Sequence, residues 1–157
     1  MKECNIEETK DANRVAILNE PVQRLHFERY PEYFKEYSYE STLEYFTEQL
    51  KKENWYCYII KVGNDDIGYV LFFERDYKEN PFRKTYKGIQ IDQICINEEY
   101  RHKGYANKLM ERVIEYCRKI KATQIELTYW EKNIEAKEFY DKFEFKRKIN
   151  FVVLEIK

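Results

Sequence analysis

The segment formed by residues 101–106 has residue types that can bind a phosphate group. It reads Arg-His-Lys-Gly-Tyr-Ala and lies between a strand-like stretch and a helix-like stretch. Main-chain N–H groups in the first turn of a helix have no partner inside the helix, and the helix dipole favours an anion there. Gly104 and Ala106 leave this backbone accessible. The spacing is neither that of a nucleoside-triphosphate loop nor that of a dinucleotide-binding Gly-x-Gly-x-x-Gly segment.

The charge distribution around this loop is basic. Residues 76–157 carry 18 basic and 14 acidic side chains, whereas residues 1–75 carry 10 and 15. Within the basic half, the cationic side chains concentrate at Arg101, Lys103, Lys108, Arg112, Arg118, Lys119 and Lys121. Such a face suits a small polyanionic ligand, although a solvated helix surface and an ordinary turn at Gly104 explain the same residues.

The hydrophobic periodicity predicts the elements that position this loop. Strands are predicted at residues 4–8, 55–62, 67–75, 89–97, 125–129 and 151–156, with a further short strand at 145–148. Four helices are predicted, at residues 11–29, 41–52 and 105–120 and from Asn133 onward. Pro21 predicts a kink or break in the first helix, and Ser41 with Glu44 is predicted to cap the second. A slip in the alternation of residues 89–97 predicts a β-bulge near Asp92 and Gln93.

This order predicts an α/β (α+β) fold with a mixed central sheet of six to seven strands flanked by about four helices. The sheet is mixed because a hairpin is antiparallel, whereas strand–helix–strand units are right-handed crossovers that give parallel pairing. No linker or internal repeat divides residues 1–157, so we expect one domain.

The composition excludes several classes of protein. Only 4 glycines and 3 prolines stand beside 15 tyrosines and 10 phenylalanines, which rules out collagen-like and flexible low-complexity chains. The four cysteines form no Cys-x-x-Cys pair, so neither a zinc site nor a disulfide framework is expected. No apolar run is long enough to span a membrane, and the first residues do not read as a signal peptide. We therefore expect a cytoplasmic protein without a metal or a membrane partner.

Two motifs together resemble a known family. Arg101-x-x-Gly104-x-Ala106 is similar to the acetyl-CoA loop of the GNAT superfamily of N-acetyltransferases, Arg/Gln-x-x-Gly-x-Gly/Ala. About thirty residues later, a second set of residues looks like that superfamily's second signature: Trp130, Glu131, Lys132, Asn133, Ala136, Phe139, Tyr140, Phe143, Glu144 and Phe145. The close resemblance covers residues 89–145 and implies an acetyl-CoA-binding core there. Residues 1–88 would form the acceptor-side half, and residues 146–157 a C-terminal strand.

The resemblance implies a role for each matching residue. Main-chain N–H groups of His102, Lys103, Gly104, Tyr105 and Ala106, next to Arg101, would hold the pyrophosphate of acetyl-CoA. The main chain of Ile94, Cys95 and Ile96 would pair with the pantetheine arm, and a backbone N–H there would act as an oxyanion donor. Asn133 would hydrogen-bond near the cofactor, and Tyr140 would protonate the departing thiolate.

Simpler roles stand beside these assignments. Tyr140 is one of many tyrosines, and its spacing alone would indicate a residue packed in the core. Asn133 is at least a helix cap. His102 is expected to be an exposed loop residue. Cys95 has no histidine to activate it, which favours a buried strand residue over an acyl-enzyme nucleophile.

An amine acceptor is protonated at neutral pH and needs a base. Asp92, beside the expected thioester position, is the leading candidate, with Glu74 and Glu28 as alternatives. The aromatic loops at residues 30–34 and 77–82 are expected to wall the acceptor site. Ala106 is a permitted departure from the family pattern, whereas Glu144 replaces a common glycine and puts the turn after the last helix in question.

The sequence therefore predicts an N-acetyltransferase that transfers an acetyl group from acetyl-CoA directly to a primary amine. A non-catalytic acyl-CoA sensor or partner-binding module is the alternative. RNA binding is disfavoured because no RNA-recognition motif is present and the net charge is only −1. The identity of the amine is not encoded in any motif, and a homodimer is compatible with the sequence but not required by it.

Overall fold

The backbone of this chain is built around one mixed sheet. The computed structural model describes residues 3–156. The elements are β1 (Asn5–Thr9), α1 (Ala12–Arg29), α2 (Tyr39–Leu50), β2 (Trp55–Val62), β3 (Asp65–Tyr77), β4 (Tyr86–Ile96), α3 (Tyr105–Lys119), β5 (Gln124–Glu126) and α4 (Ile134–Asp141). The strand order is β1-β2-β3-β4-β5, and every pair is antiparallel except the parallel pair of β4 and β5. The predicted mixed α/β fold with four helices is confirmed.

The predicted strand count of six to seven is wrong for the described residues, which contain five. Residues 145–156 belong to no strand, although strands were predicted at 145–148 and 151–156. A strand needs a neighbour for its main-chain hydrogen bonds, and residues 145–156 pair with no strand of the described chain. Likewise β5 stops at Glu126 rather than at residue 129, because its pairing with β4 ends there. Met1, Lys2 and Lys157, which the predictions about both termini include, lie outside the described residues.

Of the kink or break predicted at Pro21, the break does not occur, and the predicted cap of α2 is wrong. Helix α1 runs through Pro21 without a break. Proline removes the hydrogen bond to the carbonyl four residues earlier, that of Ile17, and Ile17 is itself exposed, so water can reach this part of the helix. Helix α2 begins at Tyr39 and is capped by Ser38, whose hydroxyl accepts from the Ser41 N–H, so Ser41 is not the cap.

Each face of the sheet carries its own apolar core. Helices α1 and α2 cover one face, where Phe46, Tyr69 and Leu71 are buried. Helices α3 and α4 cover the other, where Phe72, Leu109 and Met110 are buried. Burying one large apolar side chain stabilises the fold by about 1.5–3 kcal/mol, so the two cores together hold the sheet rigid between the helices.

Strand β4 contains the predicted bulge. Leu71 pairs with Gln93 and Phe72 pairs with Ile91, so Asp92 has no partner on β3. The extra residue shifts the alternation of side chains between the two faces of the sheet. Asp92 is near enough to the buried phenol of Tyr69, on the α1–α2 face, for its negative charge to raise the pKa of that phenol. Gln93 accepts the hydroxyl hydrogen of Tyr69 on the same face. The bulge therefore places two successive polar side chains on one face of the sheet.

Candidate active site

Strands β4 and β5 separate soon after they meet. Their parallel pairing covers only residues 88–90 of β4 and 124–126 of β5. Strand β4 continues to Ile96, where it is paired with β3 on one edge and with no described strand on the other. Main-chain N–H and C=O groups seek hydrogen-bond partners. The open edge at residues 91–96 can thus pair with an extended molecule that carries amide groups.

The loop after this edge presents unpaired N–H groups. No acceptor among the described residues receives the main-chain N–H groups of residues 102–107, whereas the N–H of Arg101 donates to the carbonyl of Glu98. Gly104 precedes α3 with a φ of +82°, and His102 has a φ of +58°. A positive φ suits glycine, and this backbone path leads directly into the N-terminus of a 15-residue helix. The loop thus forms a concentrated set of donors for an anion.

The side chains of the loop hold its shape and charge. Arg101 donates from Nε to the carbonyl of Ile96 at 3.0 Å, which fixes the loop to the end of β4. Lys103 donates from Nζ to the carbonyl of Glu99 at 2.6 Å and lies over the ring of Tyr100. Tyr105 is buried in the core, whereas His102 is exposed, as expected for a loop residue. The backbone of this loop, rather than its side chains, is free to bind.

Tyr140 lies in α4 and is buried, with 6% of its surface exposed. Its ring contacts those of Tyr129, Phe139 and Phe145. Burial raises the pKa of the phenol well above its usual value, so the hydroxyl keeps its proton at neutral pH. No described residue hydrogen-bonds this hydroxyl, and therefore it is free to donate to a bound molecule.

Asn133 caps α4 and also joins α4 to α1. Its Oδ1 accepts from the N–H of Ala136 at 3.2 Å and from Nη1 of Arg29 at 3.3 Å. Arg29 also forms an ion pair with Glu135 at 2.8 Å, and this interaction lowers the pKa of Glu135 to about 2. The predicted cap is confirmed, and the carboxamide oxygen is fully engaged. Only the amide nitrogen of Asn133 is left to contact a cofactor.

An aromatic cluster lies beside this junction. The rings of Tyr30, Tyr33 and Phe34 all contact the ring of Trp130, with centroids 4.6–5.2 Å apart. Tyr30 accepts the main-chain N–H of Lys132 at 2.7 Å, which ties the loop after α1 to the segment before α4. The predicted acceptor wall at residues 30–34 therefore lies next to the second motif. Sequence reasoning had placed Trp130 only in the cofactor signature.

The other predicted wall, the loop of residues 77–82, lies elsewhere. Tyr77 pairs with Tyr86 at the start of β4, at the opposite end of that strand from Ile96. Phe82 is 93% exposed and contacts no other aromatic ring of the described chain. The structure brings this loop neither to the aromatic cluster nor to the 101–106 loop.

The three base candidates have different environments. Asp92 is exposed, yet the protein atoms around its carboxylate remove enough water to raise its pKa above the usual value for a carboxyl group. The carboxylate of Glu74 already has three hydrogen-bond donors. It accepts from the hydroxyls of Tyr116 at 2.6 Å and Tyr56 at 3.1 Å and pairs with Nζ of Lys87 at 2.7 Å. Glu28 is exposed on α1. Of the three, Asp92 combines proximity to the open edge of β4 with a raised proton affinity.

Cys95 has the properties of a packing residue. It is buried, and burial raises the pKa of its thiol to about 11. A thiol with this pKa is protonated at neutral pH and is a poor nucleophile. The interpretation of Cys95 as a strand residue is therefore favoured over a covalent role.

Gly68 supports the site in a way that the sequence did not reveal. It faces Ile96 across the β3–β4 pair, and a Cβ atom at this position would lie 2.3 Å from the carbonyl oxygen of Cys95. Only glycine allows β3 to approach the end of β4 so closely. An isolated glycine inside a strand pattern is the one signal that could have indicated this role.

The turn after α4 keeps the left-handed backbone that glycine would favour. Glu144 has a φ of +59°, and the N–H of Phe145 returns to the carbonyl of Tyr140. Glu144 therefore adopts a backbone conformation that a glycine would take more easily. The left-handed conformation is energetically unfavourable for glutamate, because its Cβ atom comes close to the neighbouring backbone.

The residues present suit acetyl-CoA. The unpaired N–H groups of residues 102–106 match a pyrophosphate, the open edge of β4 matches the amides of a pantetheine arm, and the free hydroxyl of Tyr140 matches a leaving sulfur. No group of three or more potential metal ligands occurs within residues 3–156, and no helix there is long and apolar enough to cross a membrane.

Solved structures share this fold. The tetramutant of the BH1408 protein from Bacillus halodurans is 22% identical, with a TM-score of 0.88 over 97% of this chain and 99% of that chain. A ribosomal-protein-alanine N-acetyltransferase from Brucella melitensis biovar Abortus 2308 is 15% identical, with a TM-score of 0.72 over 98% and 99% of the two chains. AAC(6')-Iy, solved with the bisubstrate analogue CoA-S-monomethyl-acetylneamine, is 11% identical, with a TM-score of 0.72 over 99% of both chains.

The sequence comparison agrees with the structural one. No curated protein matches the sequence at a significant level. The sequence model of the "Acetyltransferase (GNAT) family" matches residues 19–145 of this chain. This range includes the open edge of β4, the 101–106 loop and the second motif. These are the same residues whose geometry suits acetyl-CoA, and members of this family are acyltransferases in general. The chain belongs to the GNAT acetyltransferase family.

Proposed function

We propose that this protein transfers an acetyl group from acetyl-CoA directly to a primary amine. The observation that carries the proposal is the open edge of β4, which is followed after one short turn, residues 97–101, by the unpaired N–H groups of residues 102–106. Membership of the GNAT family supports acyl transfer as the reaction class. The similar fold of AAC(6')-Iy, which was solved with a CoA bisubstrate analogue, supports the choice of donor.

The binding part of the proposal assigns each stretch of backbone a partner. The main chain of residues 94–96 pairs with the amides of the pantetheine arm, as a neighbouring strand would. The N–H groups of residues 102–106 hold the pyrophosphate, aided by the dipole of α3. Arg101 positions the loop by its hydrogen bond to the carbonyl of Ile96. The amide nitrogen of Asn133 contacts the cofactor from the other side of the cleft.

The chemical part uses three groups. Acetyl-CoA supplies a thioester whose carbonyl carbon is attacked by the amine nitrogen, so that a C–N bond forms and the C–S bond breaks. A main-chain N–H near Ile94 or Cys95 donates to the carbonyl oxygen as negative charge develops on it. Tyr140 donates its proton toward the sulfur. Asp92 accepts, through water, the proton that an alkylammonium acceptor must lose.

The acceptor belongs to the class of primary amines. The aromatic cluster beside α4 and the acidic side chains in residues 1–75 suit a cationic amine. Proteins of similar fold include ones whose names describe the acetylation of aminoglycosides and of ribosomal protein alanine. We propose no narrower acceptor than this.

The reaction is tested by measuring thiol release from acetyl-CoA over a panel of primary amines, together with acetyl-CoA binding by calorimetry. We expect Tyr140→Phe to lower kcat by about 10²- to 10⁴-fold, the usual contribution of a general acid, while acetyl-CoA affinity changes less than about twofold. Tyr86→Phe, at the far end of β4, is the matched control and should retain activity. Tight binding without turnover for any amine would instead support the non-catalytic acyl-CoA-binding alternative.

A further inference from the structure

Three polar side chains, from α1, β3 and β4, meet beneath the bulge of β4. Asn19 is 5% exposed and Tyr69 is 0% exposed. Nδ2 of Asn19 donates to the hydroxyl of Tyr69 and to Oε1 of Gln93, each at 2.9 Å. The hydroxyl of Tyr69 donates to the same Oε1 at 2.6 Å. These three residues, the polar triad, form a closed set of hydrogen bonds between segments far apart in the sequence.

Core packing alone does not explain the polar triad. Burying polar groups costs free energy, and apolar side chains of the same shape can fill such a space with little or no loss of stability. What a buried polar network supplies is a fixed orientation for its members. In the polar triad, the side chain held by the other two is that of Gln93, because both hydrogen bonds end on its Oε1.

The nitrogen of the same carboxamide is left free. A carboxamide carries its N–H donors apart from its oxygen, so Nε2 of Gln93 points away from Asn19 and Tyr69. Within residues 3–156, the hydrogen bonds of this carboxamide are the two on Oε1. The bulge turns Asp92 and Gln93 to the same face of the sheet, which brings the carboxylate of Asp92 next to this nitrogen.

The effect of Gln93 on Asp92 is that of a donor. Loss of surrounding water raises the pKa of Asp92, and a hydrogen-bond interaction with the side chain of Gln93 opposes that rise. Only a donor lowers the pKa of a carboxyl group, because it favours the charged form. The two groups do not reach ordinary hydrogen-bond geometry in the described chain, as is common for catalytic contacts before a ligand binds.

The carboxylate also decides which way the carboxamide faces. Turning the carboxamides of both Asn19 and Gln93 over would preserve the hydrogen bonds of the polar triad. It would also set Oε1 of Gln93 against the carboxylate of Asp92, and two acceptors repel each other. Ionised Asp92 therefore favours the orientation in which Nε2 faces it.

Other titratable groups near Asp92 are phenols. Burial, and in addition the charge of Asp92, raises the pKa of Tyr45 on α2 and of Tyr69 on β3, so both keep their protons at neutral pH. From α1, Asn19 is neutral. None of the charged side chains in residues 3–156 contributes to the pKa of Asp92. Gln93 is therefore the side chain that can tune and hold this carboxylate.

We propose that Gln93 is a positioning residue for acetyl transfer: Asn19 and Tyr69 fix its carboxamide, and its Nε2 holds the carboxylate of Asp92 toward the acceptor amine. This inference rests on the proposed function, in which Asp92 is the base. An exposed carboxylate without a fixed neighbour rotates freely, whereas one held by an oriented donor keeps the geometry that proton transfer needs.

NMR titration of the Asp92 carboxyl group tests the contact without any enzymatic reaction. We expect Gln93→Met, which removes the donor, to raise the pKa of Asp92 by at least about 0.5. Gln93→Glu keeps acceptors for Asn19 and Tyr69 but adds a negative charge, so it should raise this pKa further. Tyr45→Phe is the matched control and should leave it unchanged. An unchanged pKa in both Gln93 variants overturns the proposal.

The pH dependence of kcat/KM with a fixed amine tests the consequence for the reaction. We expect Gln93→Met and Tyr69→Phe to lower kcat by about tenfold, through lost positioning, and to move the acid limb to higher pH. KM for acetyl-CoA should change less than about twofold. A purely structural role would leave the acid limb in place. Absence of acetyl transfer in the unmodified protein would refute the proposed function, whereas active variants with an unmoved acid limb would refute the role of Gln93 alone.

Discussion

The backbone at residue 144 requires a left-handed conformation, and the sequence places a glutamate there. Glu144 has a φ of +59°, a region that costs a non-glycine residue about 1–2 kcal/mol. We therefore expect Glu144→Gly to raise the free energy of unfolding by about 1 kcal/mol, measured by denaturant titration. Lys142→Gly is the control, because Lys142 is right-handed helical with a φ of −65°. Glycine there should lower the stability by about 0.5–1 kcal/mol, and a loss of stability in both variants would contradict the argument.

Asp92 determines the expected pH dependence of the reaction. Its pKa lies above the usual carboxyl value because nearby protein atoms displace water from the carboxylate, which disfavours the charged form. A base must be ionised to accept a proton, so kcat/KM should fall as the pH decreases through this raised pKa. Asp92→Asn should lower kcat/KM and remove that acid limb, as a pH–rate profile with a fixed amine would show.

The matched control for Asp92 is the exposed carboxylate of Glu28. Glu28→Gln should keep both the rate and the acid limb, because Glu28 lies on the surface of α1. An unchanged profile in Asp92→Asn would assign the base to another group.

Strand β4 is the element on which the site depends. One edge pairs with β3 along the whole strand, whereas the other is free beyond residue 90. The bulge at Asp92 turns polar side chains toward α1 and α2, and the end of the strand fixes the start of the 101–106 loop through Arg101. A small displacement of β4 would therefore affect the open edge and the loop together.

Gly68→Ala tests this dependence. The added Cβ would lie 2.3 Å from the carbonyl oxygen of Cys95, so β4 must move. Overpacking of this kind costs about 1–3 kcal/mol, and we expect acetyl-CoA affinity to fall by about tenfold or more in calorimetry. Gly88→Ala is the control in the same sheet. The nearest atom to its added Cβ is the end of the Glu126 side chain at 3.2 Å, which can move, so both stability and affinity should change less.

At the scale of the whole molecule, a short set of polar contacts joins the end of α1 to the start of α4. Tyr30 accepts the N–H of Lys132, and Arg29 forms an ion pair with Glu135. These contacts span more than 100 residues of sequence and set the position of α4 relative to α1. They also place the aromatic cluster beside Asn133.

Tyr30→Phe tests this connection. The variant removes only the hydroxyl of a buried side chain and leaves the N–H of Lys132 without its acceptor, which should cost about 1 kcal/mol of unfolding free energy. Tyr33→Phe is the control, because Tyr33 is 54% exposed and no described residue hydrogen-bonds its hydroxyl. Thermal and denaturant unfolding should separate the two variants, and equal stability would show that the Tyr30–Lys132 bond contributes nothing net.

Much of the fold could be predicted because its signals are local. Apolar spacing placed β2, α1 and α3 to within a few residues, a slip in alternation located the bulge at Asp92, and Asn133 was correctly expected to cap α4. The same spacing could not place the ends of β5 or residues 145–156. Strand ends depend on a partner strand, and partners lie far apart in sequence.

The sequence by itself determined which residues form the 101–106 loop and the second motif, because those residues depend on glycine geometry and helix starts within a few positions of one another. Only the tertiary structure decided how they act together. It showed that β4 has a free edge, that Glu74 is held by two tyrosines and Lys87, and that Gly68 must be small. Each of these facts arises from contacts between distant segments, which no local pattern encodes.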